Sequence, residues 1–200
     1  MLRLILAISF WGFVHSMLAS PTLKAVIRRV FGRGLMRIYR LVYNFFAILS
    51  FLPILWLMII LPDQPFYTVP SPWSYFMFAG QGLAVIFLII GVVQTDALSF
   101  IGLQQIFEEE KPAQLVTGGL YRFMRHPLYT FGLLFLWLTP RVTVNLFTFY
   151  LGLTVYIIVG AYFEERKLLR EFGQAYEDYA RVTPMLIPGL TFKNKFNAKA

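Results

Sequence analysis

Apolar residues run almost unbroken over residues 2–19, 41–61, 73–93, 128–138 and 142–163, and the polar residues gather between those runs. Four of the runs have the length a helix needs to cross a bilayer, about 20 residues. The run 128–138 is too short alone and becomes long enough only if residues 119–127 enter the membrane with it. Pro53 inside the second run predicts a kink, which membrane helices tolerate. Residues 62–72, with four prolines, read as a turn-rich loop. From Glu164 the pattern changes: Leu168, Phe172, Tyr176 and Tyr179 recur at spacings of three and four with charges between them, which predicts an amphipathic helix starting there. Gly173 weakens that helix modestly, and Pro184 and Pro188 end it. The expected fold is all-α: a polytopic membrane protein of about five transmembrane helices with a C-terminal amphipathic helix. It forms one unit, a helical membrane scaffold over residues 1–114 and a core over residues 115–188.

Composition strengthens this reading. The chain is 58% hydrophobic and only 14% charged, against about 25% charged residues in a soluble domain. The net charge of +8 points to membrane lipids rather than nucleic acid, because the cations flank the apolar runs. Lys24, Arg28, Arg29, Arg33, Arg37 and Arg40 follow the first run with no acid among them, whereas residues 62–72 hold no Lys or Arg. The positive-inside bias therefore puts residues 21–40 in the cytoplasm, the N-terminus outside and the C-terminus inside. Ile27, Val30, Phe31, Leu35 and Ile38 alternate with those cations, as in an interfacial helix. A cleaved signal peptide ending at Ala19-Ser20 is the alternative for the first run; the charge lies on the wrong side of it. No cysteine is present, which removes disulfides, thiolate metal sites and cysteine nucleophiles.

The polar residues that enter the apolar runs are the chemical candidates. Residues 118–129 pack Arg122, Arg125, His126, Tyr121 and Tyr129 into the start of the fourth run, and Glu164-Glu165 close the fifth. His15, Tyr43, Asn44, Gln94 and Asp96 fall at the inner ends of the first three. Ionisable groups within membrane spans usually face a bundle interior or a cavity. The expected site is a cytoplasm-facing pocket to which all five helices contribute. Residue by residue, plainer readings compete: membrane-edge polarity for Gln94, a turn for Gly118-Gly119, a lipid-phosphate anchor for Arg125.

The joint pattern Gly119-Leu120-Tyr121-Arg122-x-x-Arg125-His126-Pro127-Leu128-Tyr129, Glu164-Glu165-x-x-Leu168, Phe172-Gly173-x-x-Tyr176-x-x-Tyr179 and Pro184-x-x-Ile187-Pro188 resembles the isoprenylcysteine carboxyl methyltransferase and phospholipid methyltransferase superfamily. The resemblance covers residues 115–188 and implies an integral membrane methyltransferase using S-adenosylmethionine. His15-Ser16, Tyr39-Arg40 with Tyr43-Asn44, Asp96 with Phe100-x-Gly102-Leu103-x-Gln105, and Trp137-x-Thr139-Pro140 are further similar to the bacterial methanethiol S-methyltransferases and to related nitrite-reduction-associated membrane proteins. What it implies for the residues is a cofactor shell of His126, Pro127 and the backbone from Val116 through Gly119 to Leu120. Glu164 or Glu165 suits a ribose diol or an ammonium, and Tyr121 and Tyr129 offer aromatic faces to a sulfonium. A thiol acceptor has to ionise: Arg125 or Arg40 favours the thiolate, and His126 or His15 takes the proton. The acceptor stays open between a small or lipophilic thiol, an isoprenylcysteine carboxylate and a lipid amine. A non-catalytic haem-binding protein with His15 and His126 as axial ligands is the alternative of another class.

Overall fold

The computed structural model describes residues 1–95 and 114–189, Arg33 without its side chain. Asp96, the pattern from Phe100 to Gln105 and the basic tail from Thr191 lie outside the described residues. In chain order the elements are α1 (Leu2–Ala19), α2 (Pro21–Ile60), β1 (Pro65–Thr68), α3 (Trp73–Gln94), a 3-10 turn (Gly119–Arg122), α4 (Pro127–Trp137), β2 (Arg141–Thr143), α5 (Val144–Phe172) and α6 (Gln174–Val182). α1, Gly34–Ile60 of α2, α3 and α5 are each long and apolar enough to cross a membrane, and α4 is a shorter apolar helix. Their outer faces carry large exposed apolar side chains, such as Phe10, Ile59 and Val93, which a bilayer would cover.

Three boundaries differ from the sequence expectation, each for a local reason. The non-helical backbone within α2 is at Gly32, φ 77°, rather than at Pro53; a left-handed φ costs glycine little and other residues more. The residues before Gly32 form the short basic helix, and the crossing helix begins at Gly34 rather than at residue 41. α5 does not stop at Phe163. It continues unbroken to Phe172, because Glu, Arg, Lys and Leu are all good helix formers. The break falls at Gly173, φ 55°, so Gly173 separates two helices instead of weakening one.

Close approach at small residues sets the packing, as is common in membranes. A Cβ on Gly12 would sit 3.0 Å from the Tyr156 ring, and one on Gly152 would sit 3.1 Å from Ile8. α1 and α5 therefore run parallel. α3 and α4 run antiparallel: Gly80 meets Leu138, Gly91 meets Leu128, and Phe87 stacks on Phe131 at 4.7 Å.

The turn-rich loop holds a strand the periodicity did not announce. β1 pairs antiparallel with β2 through Tyr67–Val142 and Thr68–Arg141. Below it, Leu4, Ile8, Ile54, Val142, Phe149 and Tyr150 form a buried apolar cluster. Asp63 Oδ1 accepts from the backbone of Gln64 at 2.9 Å and of Asn145 at 3.0 Å, tying the loop to the first turn of α5. Burial acts to raise the Asp63 pKa, but the side-chain bond from Thr143 and the backbone bonds outweigh it and leave the group below its ordinary value.

Candidate functional site

The site is built where α5, α4 and the C-terminal segment meet. Glu164 and Glu165 are successive helical residues, so their side chains point about 100° apart. Glu165 turns inward. Its Oε1 accepts from Arg125 Nε at 2.6 Å and lies 3.3 Å from His126 Nε2. Arg125 donates one terminal amine to the carbonyls of Ala180, at 2.9 Å, and Thr183, at 2.6 Å. All three side chains are buried, with Arg125 8%, His126 6% and Glu165 2% exposed. An isolated charge here would be costly; the pair and its added hydrogen bonds are what make the burial tolerable.

Glu164 turns the other way. Its side chain keeps 43% exposure and lies 3.7 Å from His126 Nδ1, while Tyr129 Oη donates to its Oε2 at 2.7 Å. The Tyr129 ring stacks on His126, 5.2 Å between centroids and 10° between planes. Pro127 opens α4, a position where its missing N–H costs nothing; two residues later Tyr129 faces the acid.

The segment before α4 is held from two sides. Leu120 N donates to Gln94 Oε1 at 2.9 Å. Gly119 has φ 61°, and a Cβ on it would collide with the Gln94 side chain. The required close approach is thus to Gln94 of α3, and Gly118 has open space beside it. The Tyr179 hydroxyl donates to the Tyr121 carbonyl. Burial, then the Glu164 carboxylate, pushes the Tyr121 phenol up to about 12, so it stays a neutral donor. Val116 is exposed at the edge of the turn. On the far side, the backbone N–H groups of Arg125 and His126 donate to the carbonyls of Pro184 and Met185 at 2.9 and 3.1 Å, and Thr130 Oγ1 donates to Leu186 O at 2.7 Å. Tyr176 is 1% exposed, and its buried hydroxyl has no hydrogen-bond partner among the described residues.

The structure thus brings Tyr121, Arg125, His126, Pro127, Tyr129, Glu164 and Glu165 together. His15 stands apart from them, within α1. Its Nδ1 lies 2.6 Å from the Tyr156 hydroxyl and its Nε2 2.7 Å from that of Tyr43, and Trp11 stacks on its ring at 4.7 Å. Both ring nitrogens of His15 face phenols, and both of His126 face carboxylates; neither imidazole presents the open nitrogen an axial haem ligand needs. Arg125 is buried in internal bonds, which leaves it unfit as a lipid-phosphate anchor. Gln94 and Tyr156 are the residues that sequence reasoning undervalued. Gln94 reads as membrane-edge polarity until its partner Leu120 is known, and Tyr156 reads as one aromatic among many. The spacing Tyr156, Gly160, Glu164 along one side of α5 was a signal for the second.

A carboxylate open to solvent, two tyrosine rings and a backbone turn form a donor set that fits a polar, cationic nucleoside-type ligand: Glu164 retains acceptor capacity beyond its bond to Tyr129. Comparison with known proteins agrees in kind. The phospholipid methyltransferase family matches residues 75–175. The chain is 30% identical over 192 residues to methanethiol S-methyltransferase 2 of Bradyrhizobium diazoefficiens, covering 93% of this chain and 72% of that protein. It is 32% identical over 154 residues to the methanethiol S-methyltransferase of a Pseudomonas species, 70% of this chain and 55% of that one. With the protein of the same name from Crocosphaera subtropica it shares 33% over 128 residues, 58% and 50% of the two chains. Beyond the first, it spans about half the length of these relatives. No solved structure matches it. A family match over half the chain, a relative aligned over nearly all of it, and a bundle of apolar helices converging on one acid–aromatic site place this multi-pass membrane protein in the phospholipid methyltransferase family.

Proposed function

We propose that the chain transfers a methyl group from S-adenosylmethionine to a small thiol, at a site that opens to the cytoplasm. The observation that carries the reading is Glu164: a partly exposed carboxylate, fixed by Tyr129, beside a buried Arg125–Glu165–His126 group that holds its surroundings rigid. When bound, S-adenosylmethionine supplies a methyl carbon already activated by its sulfonium, and its sulfur keeps the bonding pair when that carbon leaves. Glu164 holds hydroxyls or an ammonium by charge-assisted bonds. Tyr129 and Tyr121 offer ring faces to the cation. The backbone from Val116 to Leu120, braced by Gln94, provides further donors and acceptors. Arg125 and Glu165 are positioning residues: they clamp residues 180–186 against α4 and never need to touch a reactant.

The acceptor sulfur gains the methyl carbon and loses its proton, so a base has to receive that proton. His15, whose nitrogens both lie against phenols, takes it through Tyr156: that hydroxyl passes its own proton to the imidazole and receives the thiol's. The cytoplasmic orientation rests on the cations of residues 24–40 at the end of the bundle that also carries Glu164.

The test is turnover of purified protein in nanodiscs with labelled S-adenosylmethionine and three acceptors: methanethiol, a prenylated cysteine and phosphatidylethanolamine. Methylation of the thiol, with a rate that rises with pH as the thiol ionises, is the expected result. Methylation of the prenyl cysteine or the lipid amine with none of the thiol would overturn the acceptor class and leave methyl transfer standing.

A further inference from the structure

An apolar groove of about 440 Å³ lies between α1, α2 and α5, with His15 and Tyr156 among its lining residues. Its remaining walls are apolar, including Trp11, Leu55 and Leu153. Ile48, on its rim, is 65% exposed and in a bilayer faces lipid tails. We propose that this groove is the acceptor site and that it admits a lipophilic thiol, with an alkyl or aryl body, sideways from the hydrocarbon layer. The inference rests on methyl transfer to a thiol and extends it to the size and route of the acceptor.

Volume is the first argument. Small-molecule sites span about 300–1,000 Å³, and a one-carbon thiol would leave most of this groove empty. Chemistry is the second. The lining carries no formal charge unless His15 is protonated, so a phosphate, carboxylate or ammonium would be desolvated there without a partner. An apolar body with one weak proton donor has no such cost. Its sulfur belongs at the polar end, where His15 is held by Tyr43 and Tyr156 at 2.7 and 2.6 Å. Continuity is the third. Tyr156 and Glu164 stand on the same helix, eight residues and about 12 Å of rise apart, and the Tyr129 phenol lies within electrostatic reach of both.

The experiment is a chain-length series, methanethiol to hexanethiol, in nanodiscs with saturating S-adenosylmethionine. kcat/KM should climb about fourfold per methylene buried until the groove is full. Partition into the bilayer also favours longer thiols, so the deciding measurement is a variant. Leu153→Trp, which fills the groove, should cut the hexanethiol-to-methanethiol ratio at least tenfold, whereas Ile89→Trp on the lipid-facing side of α3 should not change it. A second readout needs no donor: hexanethiol should quench tryptophan fluorescence saturably, and Trp11→Phe should remove the saturable part. Methanethiol turnover with a ratio unmoved by Leu153→Trp and quenching that never saturates, the behaviour of a groove holding only lipid tails, overturns the groove and leaves the thiol reading intact. Donor binding without turnover of any thiol overturns both.

Discussion

Arg125 and Glu165 stand 40 residues apart in the chain and form a buried ion pair, Nε to Oε1 at 2.6 Å, whose arginine also holds the carbonyls of Ala180 and Thr183. The pair joins α5 to the C-terminal segment. Glu165→Gln leaves a guanidinium buried without its counter-charge, and removing one partner of such a pair costs about 3–5 kcal/mol. The expected outcome is a large fall in the thermal midpoint in detergent. Replacing both partners by methionine should recover much of it. A single variant as stable as the native chain would show that the pair is solvated after all.

Glu164→Gln should behave differently. The side chain is 43% exposed, so the fold should survive, while one charge-assisted bond to the methyl donor is lost. Such a bond is worth about 1.5–3 kcal/mol, a tenfold to hundredfold weaker affinity for S-adenosylmethionine by calorimetric titration. Tyr129→Phe removes the donor that aims Glu164 and should weaken binding less. Unchanged affinity in both variants, with unchanged melting, would remove Glu164 from the cofactor site.

Gly119→Ala meets two obstacles, a left-handed φ of 61° and the Gln94 side chain. The first costs about 1–2 kcal/mol for a residue with a Cβ. Adding Gln94→Ala relieves the collision only. The double variant should therefore melt above the Gly119→Ala single variant and below Gln94→Ala. Equal melting of both single variants and the native chain would mean the turn is not pinned at this point.

Asp63 supplies a pH dependence. Its folded-state pKa is lowered: burial opposes ionisation, but hydrogen bonds from Thr143, Asn145, Gln64 and Val144 more than compensate. A lowered folded pKa means the unfolded state binds the proton first as pH drops. The stabilisation is therefore fully present above the ordinary carboxylate pKa of 3.8 and is lost as pH falls through the folded value. Melting temperatures taken from pH 6 down to pH 2.5 should fall less steeply below pH 4 in Asp63→Asn than in the native chain. Parallel curves would exclude Asp63 as a contributor.

The sequence by itself determined the medium and the bundle. A run of some 20 apolar residues needs no tertiary partner to prefer a bilayer, because transfer free energy is a sum over local side chains; α1, α3 and the crossing part of α2 are legible for that reason. It also determined which residues gather at one end, since Arg125, His126, Tyr129 and the two acids interrupt apolar runs where nothing but a partner or a task offsets their burial. Three matters were left to the tertiary structure. Glu164 and Glu165 are alike as text, and only the rotation of α5 against Arg125 buries Glu165 beside the guanidinium and leaves Glu164 partly exposed beside Tyr129. β1 exists because residues 141–143 lie beside residues 65–68, a pairing across more than 70 positions that no local pattern encodes. His15 and Tyr156 meet only because α1 packs parallel to α5 through Gly12 and Gly152. In each case the deciding energy is a contact between segments distant in the chain, and such contacts are set by helix packing rather than by composition.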